Sequence, residues 1–484
     1  MIGDQCLLRT LDSRFCGNDK KVMKILNKIK KIIPKKIFKK IQPAYHFLLS
    51  WFSSLLYKWP SENLIVIGVT GTTGKTTSVY LIAKMLEDAG YKTGYTSTAM
   101  FNDGKKEWLN DKKMTMVGRF FTQKILRDMV KNGCRYAVIE TTSEGVRQFR
   151  HRFINYDILV FTGLYPEHIE SHGSFEEYKK AKGRLFAHLK KCKTKYVDEE
   201  QLVKRTSNIK KLDLARVKKT IIANFDDEHS DYFLNFWAEK KMVYSTNNVE
   251  QLRDDKIEIV GYDDIQVSEK GTSLKVGGKK INLQILGDFS AVNSMNAVCV
   301  GLSQGLEFEK IKKALEKISG VPGRLEKINE GQDFTVIVDY AFEPYAVSKL
   351  YEAIELIAHN KIIHVLGSAG GGRDLARRPK LGQIAGEKAD YVIVTNEDPY
   401  DDDPQIIIDQ VATGADHEGK KTGKNLFKIL DRKEAIKKAF DLAKEGDLVL
   451  ITGKGSEQAI CVADGEKIAW DDRKAAREVL FSRN

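Results

Sequence analysis

Residues Asn63–Tyr80 read NLIVIGVTGTTGKTTSVY, and the order of residue types in this stretch decides the fold. An apolar, β-branched run predicts a buried strand, which passes at once into glycines and then into a helix opening at Lys75-Thr76-Thr77. Gly71 and Gly74 let the backbone turn tightly, so that the N–H groups of the loop Gly71-Thr72-Thr73-Gly74 and of the helix N-terminus face a polyphosphate. Lys75 is placed to reach the β- and γ-phosphates, and the Thr76 hydroxyl to ligate magnesium. The general form of such loops, G-x-x-x-x-G-K-[ST], has glycine where this chain has Val69, with Gly68 one place early.

Outward from the loop, Tyr136–Glu140 (YAVIE) is a second apolar run that ends in an acid, as a metal ligand at the carboxyl edge of a parallel sheet would. Asp157–Gly163 predicts another buried strand, followed by Glu167, His168, Glu170, His172 and the run Tyr178–Lys182. His168 reads as a ligand only in company with the phosphate loop and Glu140. Residues 199–270 are rich in lysine and aspartate, with strand-like pieces at Thr220–Ala223 and Ile257–Val260 and no site. The turn Gly320–Gly323 marks a boundary. Beyond it, Phe334–Tyr340, Ile362–Leu366, Tyr391–Thr395 and Leu448–Thr452 are apolar runs alternating with helical patterns, the signature of a second parallel α/β unit. Each run ends in a polar loop: DYAFEP, GSAGGGRDLARRP, TNEDPYDDDP and TGKGSE. The acidic run Asp401-Asp402-Asp403 reads as solvated. Three units are expected: an arm and helix over 1–61, a central unit over 62–321 and a C-terminal unit over 322–484.

At 484 residues, 42% hydrophobic and 30% charged, the composition excludes wholesale disorder and a multi-span membrane protein. The net charge is +13, of which the eleven lysines between Lys20 and Ser61, unaccompanied by any acid, supply +11. The rest is near neutral, which argues against nucleic acid as a partner. Six scattered cysteines show no zinc spacing and read as reduced thiols in a cytoplasmic protein. Ala44–Trp59 predicts a helix with most of Leu48, Leu49, Trp51, Phe52, Leu55 and Leu56 on one face. It falls short of the ~20 residues that span a bilayer, and no small-residue cleavage site follows it. Two readings stand: residues 20–59 rest on an anionic membrane, at its inner face, or the helix packs on the next unit. Met23, where the lysine-rich stretch opens, is an alternative translation start.

These motifs resemble the Mur ligase family, nearest its UDP-N-acetylmuramoyl-tripeptide synthetase (MurE) branch. TGTTGKTT matches that family's T-G-T-N-G-K-T loop, and FTGLYPEHIESHGSFEEYKKAKGRLF matches its T-N-L…D-H-L-D-x-H-G…Y…A-K-x-x-L-F block. LGDFSAVNSMNA, Gly323-Arg324 and the four C-terminal loops follow in order. The resemblance implies an α/β fold with a central P-loop ATPase domain and a C-terminal Rossmann-like domain. It implies an ATP- and Mg2+-dependent acid–amino-acid ligase that works through an acyl phosphate. By the same resemblance Lys75, His168 and Lys182 are catalytic, Lys182 is carbamylated, and Thr76, Glu140, His168 and Lys182 hold magnesium. Nucleotide contacts fall to residues 71–77 (Gly71 through Thr77), Asn293, Arg324, Asp339 and Tyr340; the incoming amino acid is lined by Arg378, Asp398, Tyr400, Gly453 and Glu457.

The chain departs from the family pattern at Ser143-Glu144, Thr162-Gly163-Leu164, Ser290, Phe342, Tyr400 and Ser456. Tyr400 replaces the arginine that grips the distal carboxylate of diaminopimelate, and a neutral phenol cannot form that bidentate pair. Lysine, ornithine or another diamino acid is expected instead, added to UDP-N-acetylmuramoyl-L-alanyl-D-glutamate. The stretch before the phosphate loop is shorter than the family's uridine-nucleotide-binding domain. A lipid-linked or other carboxylate acceptor, an amidating role, and a non-catalytic nucleotide-binding relative at the membrane therefore stay open.

Overall fold

The expected strand forms at Ile65–Thr70 and is buried along its whole length. Ile65, Ile67 and Val69 enter one core with Val79, Ile82 and Met85 of the helix Lys75–Asp88. Leu64 and Val66 enter the core on the opposite face, with Leu185 and Phe186 of the helix Phe175–Leu189. Side chains alternate across a strand, so one strand serves two layers and the sheet is covered by helices on both faces. The computed structural model describes residues 35–167, 172–198, 203–205, 214–246, 257–372 and 375–483.

Parallel strands Lys240–Ser245, Thr220–Asn224, Ile158–Phe161, Ile65–Thr70, Tyr136–Glu140 and Thr93–Thr96 lie side by side in that order. Ile257–Ser268 adds a further parallel strand beside Lys240–Ser245, and antiparallel strands complete the eleven: Met100–Asn102 and Glu107–Leu109 at one end, Gly271–Val276 and Lys279–Leu283 at the other. The stretch read as weakly periodic thus carries strands of this sheet. Ile257–Ser268 is mostly exposed, so its charged residues face water and blur the apolar alternation. At the amino ends of the central strands, the fully buried Asp157 carboxylate is held by Lys195 (2.5 Å) and Lys219 (2.8 Å), a structural anchor remote from the phosphate loop.

A second sheet carries Glu326–Ile328, Thr335–Val338, Leu448–Ile451, Ile362–Leu366, Tyr391–Thr395 and Leu426–Ile429, all parallel but the first. Leu448–Ile451 inserts between Thr335–Val338 and Ile362–Leu366, so the strand order reverses there. Such a reversal opens a crevice at the carboxyl edge, and the polar loops predicted from the sequence follow these strands. The α/β expectation holds for both sheets.

The N-terminal helix runs over Lys35–Leu56, nine residues earlier than its apolar stretch suggested, with Pro43 inside it. Its buried stripe is Ser50, Ser53 and Ser54, whereas Phe47, Leu48, Trp51, Phe52, Leu55 and Leu56 are exposed. The helix does pack on the neighbouring unit, but through its hydroxyls. Among the described residues no helix is long and apolar enough to cross a membrane.

Candidate active site

The phosphate loop is built by close approach. Gly74 has φ 74°, in the left-handed region, and a Cβ there would come within 2.3 Å of Asn293 Oδ1. A Cβ at Gly71 would overlap Thr162 Oγ1. Thr162 and Gly163 brace the loop: Thr162 Oγ1 donates to Thr73 O (2.6 Å), and Thr72 N donates to Gly163 O (2.8 Å). Gly68, one place early for the general motif, is instead a packing glycine against Tyr156 and Leu159.

Lys75 Nζ donates to Thr72 O (2.5 Å), and Thr76 Oγ1 donates to Glu140 Oε2 (2.9 Å). Glu140 is buried and accepts from Thr98 N (2.7 Å) and Thr98 Oγ1 (3.0 Å), which aim its carboxylate at the first turn of the loop helix. A hydroxyl and a carboxylate oxygen at the mouth of a phosphate cradle fit Mg2+, a hard cation that takes one or two protein oxygens and fills its octahedron with phosphate and water. Among the described residues no three His, Cys, Asp or Glu side chains converge on a metal position. His168 lies outside the described residues, and so does Glu170. Lys182 is fully buried with its Nζ donating to Gly71 O (2.7 Å), 4.6 Å from the Tyr178 ring centroid. Burial, and then the neighbouring Lys75, hold its pKa well below the lysine range. Beside them, burial and the Glu343 carboxylate push Glu167 up to about 8. His172 meets Ser143 Oγ (3.1 Å) and is held near 4 by burial, so it is neutral.

The second sheet brings its own residues to the same place. Arg324 NH2 donates to Thr76 Oγ1 (3.4 Å), and its guanidinium lies 4.3 Å from the Tyr340 ring centroid. Asp339 accepts from Leu325 N (2.7 Å) and Ala341 N (2.6 Å), so its carboxylate braces the turn that carries Arg324. Asn293 sits against Gly74, with Ser78 Oγ 3.4 Å from its Oδ1. Tyr165 OH donates to Glu343 Oε1 (2.7 Å), a second tie between the units.

Farther along the crevice, four charges form one cluster. Lys113 Nζ, from the loop after Glu107–Leu109, lies 2.7 Å from both Asp398 Oδ2 and Glu457 Oε2. Lys454 Nζ donates to the same two carboxylates at 3.0 and 2.7 Å. Burial opposes the charge on Lys113, but Glu457 and Asp398 outweigh it and raise its pKa. Burial likewise opposes ionisation of Glu457, yet Lys454 and Lys113 bring it down to about 2. Tyr340 OH donates to Glu457 Oε1 (3.1 Å), Tyr400 adopts φ 53°, and a Cβ at Gly453 would meet Glu397 Oε2.

Arg378 is buried inside its own unit, donating from NH1 to Gln410 Oε1 (2.7 Å) and from NH2 to Asp402 Oδ2 (3.2 Å). The acidic run is therefore not merely solvated. Asp402 pairs with Arg378 and accepts from Gly371 N, and Asp403 caps the helix Pro404–His417 by accepting from Gln405 N. Sequence reasoning did not single out Lys113, Lys454, Glu343 or Glu397. Lys454 and Glu397 stand inside quoted loops, and Glu397 is buried with Oε2 lacking a hydrogen-bond partner. Lys113 gives no signal in the sequence.

Comparison with known proteins follows the same two units. The Mur ligase middle domain matches residues 69–213, and the Mur ligase glutamate ligase domain matches residues 323–455. A UDP-N-acetylmuramyl-tripeptide synthetase of Roseiflexus sp. (strain RS-1) is 35% identical over 446 residues, spanning 90% of this chain and 82% of that protein. A UDP-N-acetylmuramoyl-L-alanyl-D-glutamate--2,6-diaminopimelate ligase of Halalkalibacterium halodurans is 31% identical, spanning 88% of this chain and 80% of that protein. A solved 2,6-diaminopimelate ligase structure aligns with TM-score 0.54 at 26% identity, over 87% of this chain and 79% of that one. Folylpolyglutamate synthase of Mycobacterium tuberculosis aligns with TM-score 0.61 at 15% identity, over 89% of this chain and 94% of that one, a likeness of fold.

Proposed function

Because this chain belongs to the Mur ligase family of ATP-dependent ligases of peptidoglycan precursors, we propose that it adds a diamino acid to UDP-N-acetylmuramoyl-L-alanyl-D-glutamate. The observation that carries this reading is the meeting of Arg324 with Thr76, which sets the carboxyl edge of the second sheet against the phosphate loop of the first. Residues 62–321 would bind ATP, and residues 322–484 would bring the amino acid.

In the proposed reaction an acceptor carboxylate oxygen attacks the γ-phosphorus and ADP leaves. The amine nitrogen of the amino acid then attacks the acyl phosphate carbon, inorganic phosphate leaves, and the amide forms as the nitrogen loses its proton. Lys75 and Arg324 stabilise the charge on the transferring group. Thr76 and Glu140, with His168 by family resemblance, would hold magnesium, which would neutralise phosphate charge. Lys182, kept neutral by burial, is the amine that takes up CO2 to become a carbamate; the resulting anion sits well beside Lys75. The two units exclude water from the acyl phosphate. Glu397, Asp398 and Glu457 supply acids for amines, the last two by exchange with Lys113 and Lys454, and Tyr400 supplies no guanidinium for a second carboxylate, so lysine or ornithine is favoured over diaminopimelate. The proposed place of action is the cytoplasm, where ATP is at hand.

The test is ADP release with this acceptor and Mg2+ across a panel of single amino acids, with products weighed by mass spectrometry. Release that depends on one diamino acid, with a product heavier by that residue, is expected. ATP binding without release across the panel would overturn the assignment. A lipid-linked acceptor is the second reading, favoured by the exposed apolar face of the N-terminal helix, and the same panel with that acceptor distinguishes it.

A further inference from the structure

An amphipathic helix ordinarily buries its apolar stripe, and the N-terminal helix Lys35–Leu56 does the reverse. At 100° per residue, Phe47, Leu48, Trp51, Phe52, Leu55 and Leu56 fall within one half of the helix circumference, and Ser50, Ser53 and Ser54 fall opposite. The serines are at most 1% exposed, whereas Leu48 is 60%, Leu56 56% and Trp51 43% exposed. The inverted seating is specified by polar contacts. Ser50 Oγ donates to Phe149 O (3.0 Å), Arg119 Nε donates to Ser50 Oγ (3.1 Å), and Arg119 NH2 meets His46 Nδ1 (2.8 Å) and donates to Gln148 O (2.6 Å). Phe47 makes edge contacts with Phe149 and Phe153, and Phe52 with Phe120. The result is a stripe of aromatic and leucine side chains left 40–60% exposed.

We infer that this stripe docks on an anionic lipid bilayer surface. The chain around it names the partner by charge: eleven lysines and no acid lie between Lys20 and Ser61, while the remainder of the molecule is close to neutral. Lysines gather at a negative headgroup layer, and tryptophan, phenylalanine and leucine partition into the boundary just beneath it. The helix is too short in apolar residues to cross, so it lies in the plane of the interface. A second copy of the chain is a poor occupant, because two such lysine arms would repel. Since Arg119 and Ser50 tie the helix to the central unit, docking would hold the enzyme in one orientation on the membrane. This inference is independent of which acceptor the enzyme uses.

The experiment is co-sedimentation of the full-length protein with vesicles of phosphatidylcholine alone or containing phosphatidylglycerol, at low and high salt. The wild type is expected to bind the anionic vesicles at least tenfold more tightly than the neutral ones, and less tightly at high salt. The variant Leu48→Glu/Leu56→Glu is expected to lose at least tenfold in binding while keeping its melting temperature and its nucleotide affinity, since both side chains are more than half exposed. Absence of binding to anionic vesicles would overturn the inference, as would binding that the double variant leaves unchanged. A wild-type dimer in sedimentation velocity that the same variant dissolves would also overturn it, and would give the face to a second copy.

Discussion

Lys182 carries an ammonium-bearing side chain into full burial beneath the phosphate loop, 2.7 Å from Gly71 O and near Lys75. Two cations in one dry place repel, so the neutral amine and its carbamate are the forms this site favours. Activity is therefore expected to fall at least tenfold in CO2-free buffer and to return with bicarbonate, whereas Lys182→Ala stays inactive with or without it; activity indifferent to bicarbonate would count against the carbamate. Lys75→Ala is expected to lower kcat by about 10²–10³-fold or more, the scale of a lost transition-state charge contact, with an unchanged melting curve. Lys75, Thr76 and Glu140 were legible because their chemistry is written locally, at the ends of apolar runs. Lys113 was not, because Asp398 lies 285 positions away and only the meeting of two units joins them. The sequence places Asp339 beside the nucleotide by resemblance alone, and its bracing of the Arg324 turn was not legible, since both of its partners are backbone N–H groups.

At the scale of elements, apolar runs bounded by turns marked the central strands of both sheets, since strands buried on both faces leave unbroken hydrophobic text. Ile257–Val260 was legible as the start of the strand Ile257–Ser268, but Gly271–Val276 and Lys279–Leu283 were not, because they are short antiparallel strands in which apolar residues alternate with lysines and other polar residues. The N-terminal helix was legible as amphipathic, but which face it buries was not. That choice lies with Arg119, Phe149 and Gln148, in distant parts of the chain. Helix ends offer a test separable from chemistry: Asp431 accepts from Lys433 N (2.8 Å) and Glu434 N (3.0 Å) at the start of Arg432–Leu442. Asp431→Ala is expected to lower stability by about 1 kcal/mol in chemical denaturation, with kcat unchanged.

At the scale of the whole molecule, two sheets act as one enzyme only if they stay closed on each other, and Lys113 is the main charged tie between them. Lys113→Met leaves Asp398 and Glu457 with Lys454 alone. The expected outcome is a fall in kcat/KM of about 10–100-fold, a longer maximum dimension in small-angle scattering, and little change in ATP affinity, since removing one cation leaves a buried negative charge uncompensated and unties the two units. The same cluster sets a pH dependence. Glu457 titrates near 2 in the folded protein, below the ordinary carboxylate value of about 4.3, so its contribution is full above that value and is lost as pH falls toward 2. The melting temperature of the wild type should therefore drop more steeply between about pH 4.5 and pH 2 than that of Glu457→Gln.

The claim on which the account rests is that the acceptor carboxylate is activated by phosphorylation before the amine attacks. It is tested most directly by labelling that carboxylate with 18O and weighing the inorganic phosphate released during amide formation. The account predicts that each phosphate carries one labelled oxygen, because the carboxylate oxygen that attacks the γ-phosphorus leaves with it. Unlabelled phosphate, with the oxygen displaced from the acceptor appearing in water, would contradict it and leave ATP hydrolysis uncoupled from ligation.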